Sequence, residues 1–273
     1  MTSETTTLVL GGTGKTGRRV TRLLAERGAE VRPVSRGSEP RFDWADEKTW
    51  EPVLDGAGAV YVTFYPDLVV PWAAPTVRAF CARAVARGVR RIVLLSGRGE
   101  EAAAVSEQVV RESGAEWTVL RASWFFQNFS EDFLLGPVLD GEIALPAGSV
   151  TEPFVDAGDV AEVAVAALTT DALVGRTVEL TSRRLLTFAD VAAEISSVTG
   201  RDVRYRPVSA GEFVRLVTAS GVPADEAAML AGLFARVLDG RNSSVTDDVA
   251  RVLGRPARDF ADYARAEAEA WAR

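Results

Sequence analysis

The fold is decided by the stretch Thr7-Leu-Val-Leu-Gly-Gly-Thr-Gly-Lys-Thr-Gly17. Its apolar run Leu8–Leu10 predicts a buried first strand, and residues 15–28 predict the helix that follows. The glycines between them let the backbone turn tightly and approach a pyrophosphate, while a helix N-terminus offers unpaired N–H groups and a positive dipole end. We therefore expect a dinucleotide to bind at Gly11, Gly12, Thr13, Gly14, Lys15, Thr16 and Gly17.

Two glycine spacings in this turn fit a dinucleotide fingerprint, G-x-x-G-x-x-G from Gly11 and G-x-G-x-x-G from Gly12. The rival interpretation is an ATP- or GTP-binding P-loop, because Gly14-Lys-Thr resembles the end of that motif. A P-loop also needs a glycine five positions before Gly14, where this chain has Val9, so we do not expect one. The remaining alternative is a glycine-rich turn that binds nothing.

Histidine is absent from the 273 residues, and Cys81 is the single cysteine. The lack of histidine excludes Ser-His-Asp and Cys-His hydrolases and argues against a zinc or non-haem iron centre, so we expect no metal. A general acid would have to be a Tyr, a Lys, a carboxylic acid or a bound water. The net charge of −7 disfavours a nucleic-acid partner, and Cys81 lies in an apolar helical pattern typical of the core.

Membrane and export signals are not apparent in the sequence. No apolar stretch reaches the ~18 residues of a membrane-spanning helix, and the stretch 160–168 is short and interrupted by Glu162. Residues 1–7 have neither the basic nor the apolar region of a signal peptide. We therefore expect a cytoplasmic protein without a membrane partner.

The cofactor preference is indicated by Ser35 and Arg36, which follow a second strand predicted at 29–34. Arg36 lies 19 residues beyond Gly17, where NAD-binding folds place an acidic residue against the ribose 2′-hydroxyl. An arginine there would pair with a 2′-phosphate, so the sequence favours NADP(H) over NAD(H). The alternative is that Arg36 is a solvated loop charge.

Further cofactor contacts are expected at the carboxyl ends of predicted strands, where ligands of open α/β sheets bind. Short strands are predicted at 41–43, 59–64 and 91–95. The contacts expected at their ends are Asp43, Trp44, Thr63, Phe64, Tyr65, Ser96 and Gly97. Asp43 and Trp44 would lie near the adenine, or they are only turn residues.

Strands and helices alternate with short connections as far as a sixth strand, which predicts a parallel sheet wound on both faces. The fold class is therefore α/β, a Rossmann-type doubly wound parallel sheet with a smaller, mainly helical C-terminal lobe. We expect residues 1–135 to form the NADP-binding domain, with 154–181 returning to it, and 136–153 with 182–273 to form the substrate-binding lobe. The helices expected near the C-terminus span about 210–219, 223–238 and 246–271.

An aromatic segment, Trp124-Phe-Phe-Gln-Asn-Phe129, follows the sixth predicted strand. Aromatic side chains at this edge would form the wall of a pocket for a planar substrate, or they would only attach the second lobe to the sheet. The substrate contacts expected from the sequence are Tyr65, Trp124, Phe125, Asn128 and Phe154.

Several segments occur together in the order and spacing of a known family: Leu10-Gly-Gly-Thr-Gly-Lys-Thr-Gly17, Leu95-Ser-Gly97, Trp117-Thr-Val-Leu-Arg121 with Phe126-x-Asn128, and Phe154-Val-Asp-Ala-Gly-Asp-Val160. Through them nearly the whole chain resembles the NmrA-like group of atypical short-chain dehydrogenase/reductases. That group includes NADPH-dependent quinone reductases, other small-molecule reductases and a dinucleotide-sensing regulator. The resemblance implies a Rossmann fold and an NAD(P)H cofactor.

The chain departs from this family at the positions of the usual Tyr-x-x-x-Lys pair. Counting back along the helix before the sixth strand places these positions near Gly99 and Ala103, and neither side chain can donate a proton or hold a ribose. Ser96 would orient a carbonyl and Tyr65 would donate a proton if it points inward. Arg98 is a further candidate or only a solvated charge, so the catalytic residue remains unassigned.

These features favour an NADPH-dependent reductase that transfers hydride to a conjugated small molecule, namely a quinone, enone, imine or carbonyl compound. A quinone takes its protons from water, so the protein mainly orients the substrate over the nicotinamide. The alternative is a non-catalytic NADP-binding redox sensor, the one case in which we expect a protein partner. A sugar-nucleotide-modifying enzyme is less favoured because it normally relies on the Tyr-Lys pair.

Overall fold

A computed structural model describes residues 6–272 of the chain. In chain order the strands are β1 (Thr6–Leu10), β2 (Val31–Val34), β3 (Ala57–Val62), β4 (Arg91–Gly97), β5 (Glu116–Ala122), β6 (Glu142–Leu145), β7 (Arg176–Leu180) and β8 (Arg204–Pro207). The α-helices are α1 (Gly17–Glu26), α2 (Trp50–Leu54), α3 (Ala73–Ala86), α4 (Ala103–Arg111), α5 (Leu135–Asp140), α6 (Ala157–Thr169), α7 (Phe188–Thr199), α8 (Ala210–Ala219), α9 (Ala224–Val237), α10 (Asp248–Leu253) and α11 (Phe260–Ala266). No helix in this described part is long and apolar enough to cross a membrane.

Six strands form one parallel sheet in the order β2-β1-β3-β4-β5-β7. Leu8 of β1 lies opposite Arg32 of β2 on one side and Val60 of β3 on the other. The chain therefore runs outward from β1 to β2 and then crosses back to β3. Such a reversal is where open α/β sheets bind their ligands, at the carboxyl ends of the strands.

Helices cover both faces of this sheet. On one face Leu8, Val60 and Leu94 belong to a buried cluster that includes side chains of α2, α3 and α4. The alternate positions, such as Val9 and Val93, point to the other face. There α1 and α6 pack against each other, and α6 also lies along β3, β4 and β5. The predicted Rossmann-type doubly wound fold is confirmed.

The short strand predicted at 41–43 is wrong. This segment has no ladder partner in the structure, although Phe42 and Trp44 point inward and pack edge to face with ring centroids 5.0 Å apart. Arg41 is exposed and Asp43 half-buried. The alternation of apolar and polar residues is the pattern of a half-buried strand. In the structure it arises because two aromatic side chains anchor an irregular segment.

The described chain groups into two compact units. The first contains the described residues up to Ala122, together with Ala157–Leu180 and Asp248–Arg255; the second contains Ser123–Asp156, Thr181–Asp247 and the described residues from Pro256 onward. The roles assigned from the sequence, cofactor binding for 1–135 with 154–181 and substrate binding for the rest, stay a prediction.

The second unit has an aromatic core beside a two-stranded sheet. Strands β6 and β8 pair in parallel, with Ile143 opposite Tyr205. Phe188 lies edge to face on Phe154 at 5.2 Å and stacks on Tyr205 at 5.8 Å. Helices α8 and α9 pack against each other, as expected for the predicted helices at 210–219 and 223–238.

The long helix predicted at 246–271 is interrupted in the structure. Helix α10 ends at Leu253, and Gly254 adopts a left-handed conformation with φ of 67° that closes it. Pro256 cannot continue a helix because it lacks an N–H group. The chain resumes with α11 and a short 3₁₀ helix at Ala268–Trp271, and α10 belongs to the first unit rather than the second.

Candidate cofactor and active site

The glycine turn leaves the carboxyl end of β1 and enters α1 at Gly17, as the sequence predicts. The Gly14 N–H donates to the Gly11 carbonyl at 2.8 Å, and the Gly12 N–H donates to the Val34 carbonyl of β2 at 2.9 Å. The Thr63 hydroxyl, just after β3, donates to the Leu10 carbonyl at 3.0 Å. Hydrogen bonds from both neighbouring strands therefore fix the turn.

The turn has no room for larger residues at two of its glycines. A Cβ atom added to Gly17 would lie 2.1 Å from the Gly11 carbonyl oxygen, and one added to Gly12 would lie 2.5 Å from Cβ of Pro33. Side chains are thereby excluded where a pyrophosphate would approach the backbone. With the N-terminal end of α1 beside it, this cradle fits the dinucleotide that the sequence predicts.

A groove of about 350 Å³ lies beside the turn, between β2 and the outer face of α1. Its lining residues are Gly12, Thr13, Arg18, Thr21, Arg22, Pro33, Val34, Ser35 and Ser38. Two of these side chains are cations and four carry hydroxyl groups. The groove therefore offers positive charge and hydrogen-bond donors beside the glycine turn.

The loop after β2 is held in shape by its own hydroxyl groups. The Ser38 hydroxyl accepts from the Ser35 N–H at 2.8 Å, and the Ser35 hydroxyl accepts from the Gly37 N–H at 3.3 Å. Arg36 is exposed at this loop, with its guanidinium carbon 4.5 Å from the ring centroid of Tyr65. The structure thus brings Ser35, Arg36 and Tyr65 to the strand ends that flank the glycine turn.

Trp44 and Phe64 lie behind these strand ends as part of an aromatic cluster. The Trp44 Nε1 donates to the Thr63 carbonyl at 3.0 Å, and its ring lies 4.8 Å from that of Phe64. The Asp43 carboxylate pairs with Arg41 at 2.6 Å and accepts from the Ala45 N–H. These contacts support the loop from within, and a contact of Asp43, Trp44 or Phe64 with the cofactor stays a prediction.

Ser96, near the end of β4, is buried, and its hydroxyl donates to Oε1 of Glu107 on α4 at 2.8 Å. The same buried carboxylate accepts from Arg121 of β5 at 2.7 and 2.9 Å and from Arg111 at 2.9 Å. Burial would raise the pKa of Glu107, but the hydrogen bonds from Arg121 and Ser96 outweigh it and hold that pKa below its ordinary value. Glu107 is therefore an anion that binds the Ser96 hydroxyl.

Arg98 joins this network through Glu179, which also pairs with Arg121, and Gly97 lies beside it at the end of β4. The Arg98 Nε donates to Glu179 of β7 at 3.0 Å, and only 8% of its side chain is exposed, so Arg98 is not a solvated loop charge. A Cβ on Gly97 would fall 2.1 Å from the Glu100 carboxyl carbon, which shows how closely that side chain covers the end of β4.

The positions expected for a Tyr-Lys pair lie at the start of α4. Gly99 has a left-handed φ of 74°, and Ala103 is the first residue of the helix and completely buried. Glu107 follows Ala103 by one helical turn and is buried as well. This helix face therefore presents a methyl group and a paired carboxylate.

The predicted substrate contacts in the second unit differ in exposure. Phe154 is completely buried between Phe129 and Phe188, at 5.7 and 5.2 Å between ring centroids. Trp124, Phe125 and Asn128 are half-buried and keep some surface. A substrate contact is thus sterically easier for these three than for Phe154, and all four assignments stay predictions.

Two groups of polar residues near the strand ends were missed in the sequence. Arg18 and Arg22 look like ordinary surface charges of α1, but they recur four residues apart immediately after the glycine turn, a spacing that places both on one helix face. For Glu107 only the pair with Arg111, four residues along α4, could be found in the sequence. Its partners Ser96 and Arg121 come from separate strands and meet it only through the register of the sheet.

Comparison with known proteins places the chain in a family. Residues 11–171 match a family model described as NAD(P)H-binding. An agroclavine dehydrogenase of Claviceps fusiformis is 33% identical, with 97% of this chain and 98% of that protein aligned. An NAD(P)H azoreductase of Xenophilus azovorans is 32% identical over the same shares of the two chains.

Among solved structures, the NADPH-dependent quinone oxidoreductase QOR2 of Escherichia coli, complexed with NADPH, aligns with a TM-score of 0.81 at 20% identity. The alignment covers 94% of this chain and 98% of that one, and at this identity it supports the fold. The family model covers more than half of the chain, and the curated relatives align over nearly all of it. The chain therefore belongs to this NAD(P)H-binding family, which confirms its resemblance to the NmrA-like group of atypical short-chain dehydrogenase/reductases.

Proposed function

We propose that this protein is an NADPH-dependent reductase that transfers hydride to a conjugated small molecule, such as a quinone, enone, imine, azo compound or activated carbonyl. The observation that carries the proposal is the glycine cradle beside a groove lined by Arg18 and Arg22. In this proposal the first unit binds the cofactor. The second unit contributes substrate contacts through Trp124, Phe125 and Asn128.

The preference for NADP(H) over NAD(H) rests on charge near the glycine turn. Arg18, Arg22 and Arg36 lie on the helix and loop that flank β1 and β2. In a chain of net charge −7, such a local group of cations is suited to a 2′-phosphate, which an arginine can bind with two hydrogen bonds. The first turn of α1 contains no acidic side chain to repel that phosphate.

The acceptor class follows from the protein groups at the end of β4. When bound, NADPH supplies the hydride, and the protein orients the acceptor. The Ser96 hydroxyl already donates to Glu107, and Gly99 and Ala103 have no proton to give. A quinone or iminium compound accepts hydride without a positioned acid, whereas an unactivated ketone gains about 10²–10⁴-fold from one. The names of the relatives, agroclavine dehydrogenase and azoreductase, are consistent with conjugated acceptors.

The proposal is tested by NADPH oxidation with matched acceptor pairs. A quinone, an enone, a cyclic imine and an azo dye would each be compared with a saturated ketone of similar size. We expect turnover with at least one conjugated acceptor and much slower turnover with the ketones. Equal rates for saturated ketones would show that the protein supplies a proton donor and would contradict the acceptor assignment.

A second candidate function is a non-catalytic NADP-binding sensor. The observation that favours it is the same lack of a free proton donor at Ser96, Gly99 and Ala103. A sensor would bind NADPH and NADP⁺, would oxidise no NADPH with any acceptor, and would bind a protein partner in a way that depends on the cofactor. Steady turnover with any acceptor rules it out.

A further inference from the structure

Arg36 and Tyr65 meet across the end of β1. Arg36 follows β2 and Tyr65 follows β3, the two strands that flank β1 in the sheet. The guanidinium carbon lies 4.5 Å from the centroid of the Tyr65 ring, within the distance of a cation–π contact. The pair therefore joins two loops on either side of the glycine turn.

Burial does not explain the position of Tyr65. Its side chain is 62% exposed, the most exposed of the large apolar side chains in the described chain. A ring so exposed gains little free energy from removal from water. The guanidinium group of Arg36 lies over the ring, so the ring is placed against a cation and not in an apolar core.

Arg36 is held at both ends. Its backbone lies in the loop fixed by the hydroxyl groups of Ser35 and Ser38, and its guanidinium group contacts the Tyr65 ring. Within residues 6–272 no carboxylate forms an ion pair with Arg36, so its N–H groups can still bind an anion. An arginine fixed before binding loses less side-chain entropy when the anion arrives.

We propose that Tyr65 is a specificity-determining residue that holds the Arg36 guanidinium in place for the 2′-phosphate of NADP(H). This inference rests on the proposed preference for NADP(H). Tyr65 acts through its ring face and not through its hydroxyl group, because a cation–π contact involves the ring. In this role Tyr65 sets the cofactor preference through Arg36.

The test uses two adenosine ligands that differ only in the 2′-phosphate, 2′,5′-ADP and 5′-AMP. Calorimetry gives the ratio of their dissociation constants for the wild type, Tyr65→Leu, Tyr65→Phe, Arg36→Ala and the Tyr65→Leu/Arg36→Ala double variant. We expect Tyr65→Leu to reduce the preference for 2′,5′-ADP by about two- to fivefold, the worth of an exposed cation–π contact. Tyr65→Phe keeps the ring and is expected to keep the preference.

The double variant separates this role from a direct contact with the ligand. If Tyr65 acts through Arg36, Tyr65→Leu has no further effect on the ratio once Arg36 is Ala. The inference would be overturned if Tyr65→Leu left the ratio unchanged, including the case in which both ligands bind equally more weakly. It would also be overturned if the variant showed a stronger preference for 2′,5′-ADP. The last result would mean that the ring keeps Arg36 away from the phosphate.

If the protein has no preference for NADP(H), the same calorimetry gives a different result from the ones above. In that case the wild type itself binds 2′,5′-ADP and 5′-AMP equally, which overturns the inference about Tyr65 together with the preference. Since Tyr65 is exposed, its variants are expected to fold, and a urea unfolding curve for each variant checks this.

Discussion

Gly17→Ala is the most stringent test of the requirement for glycine in the turn after β1. The new Cβ would lie 2.1 Å from the Gly11 carbonyl oxygen and 2.8 Å from its carbon, which is closer than an ordinary van der Waals contact by more than about 1 Å for the oxygen and by about 0.7 Å for the carbon. Both atoms belong to the backbone, so no side-chain rotation relieves the clash. The Gly11 carbonyl must move, although it accepts the Gly14 N–H at 2.8 Å.

The cost follows from these two contacts. Forcing an extra methyl group into a packed site costs about 1–3 kcal/mol, and a weakened backbone hydrogen bond adds about 1 kcal/mol. We therefore expect Gly17→Ala to lower the free energy of unfolding by about 2–4 kcal/mol. A displaced turn also loses hydrogen bonds to the pyrophosphate, so NADPH affinity should fall by at least about tenfold.

Urea unfolding and fluorescence titration with NADPH measure the two effects. Gly136→Ala is the matched control, because Gly136 lies in α5 with no atom within 4 Å of an added Cβ. Gly14→Ala should be intermediate, since its Cβ would lie 3.2 Å from the Gly11 oxygen. If the Gly17→Ala protein had wild-type stability and wild-type NADPH affinity, the proposal that this turn must hold glycine to bind the cofactor would be refuted.

Three further predictions concern buried polar groups. Glu107→Gln removes the buried negative charge that pairs with Arg121 and Arg111 and should cost about 3 kcal/mol of unfolding free energy at neutral pH. Because the pKa of Glu107 is lowered in the folded state, the wild-type advantage should disappear as pH falls through that lowered pKa; a difference independent of pH would contradict this. Burial raises the pKa of the Cys81 thiol to about 12, so an aromatic disulfide reagent should react only after unfolding in urea, and rapid reaction with the native protein would contradict its burial. Ser96→Ala should lower kcat by less than about tenfold, whereas a loss of about a hundredfold would identify Ser96 as the proton donor.

The strand–turn–helix unit at the start of the chain could be predicted because its signals are local. An apolar run, three glycines at fixed spacing and a helical pattern lie within residues 7–28. The structure confirms β1, the turn and α1 at these positions. The prediction of a strand at 41–43 was wrong because an alternation of apolar and polar residues also arises where two aromatic side chains are buried and the backbone has no strand partner.

The network around Glu107 could not be predicted because it depends on strand pairing. Ser96 lies opposite Arg121, and Arg121 lies opposite Glu179, so three strands bring these side chains into one row. A shift of one residue in either pairing would turn its side chain to the other face. The sequence contains each residue but not the register that joins them.

The burial of Phe154 could not be predicted from the sequence either. Phe154 and Phe125 are the same residue type, and both are expected from the sequence to contact the substrate. Only the packing of the second unit separates them, since Phe154 lies in its core against Phe188 and Phe125 remains half-buried. Composition and spacing have no means of making this distinction.

Reduction of a conjugated acceptor with hydride from NADPH can be followed through the NADPH absorbance. The purified protein is mixed with quinones, enones, imines and azo compounds, with NADH in parallel. We expect the protein to consume at least one acceptor, one equivalent per NADPH for a two-electron acceptor, and to do so faster with NADPH than with NADH. Tight NADPH binding without loss of absorbance for any acceptor would contradict this expectation and favour the sensor.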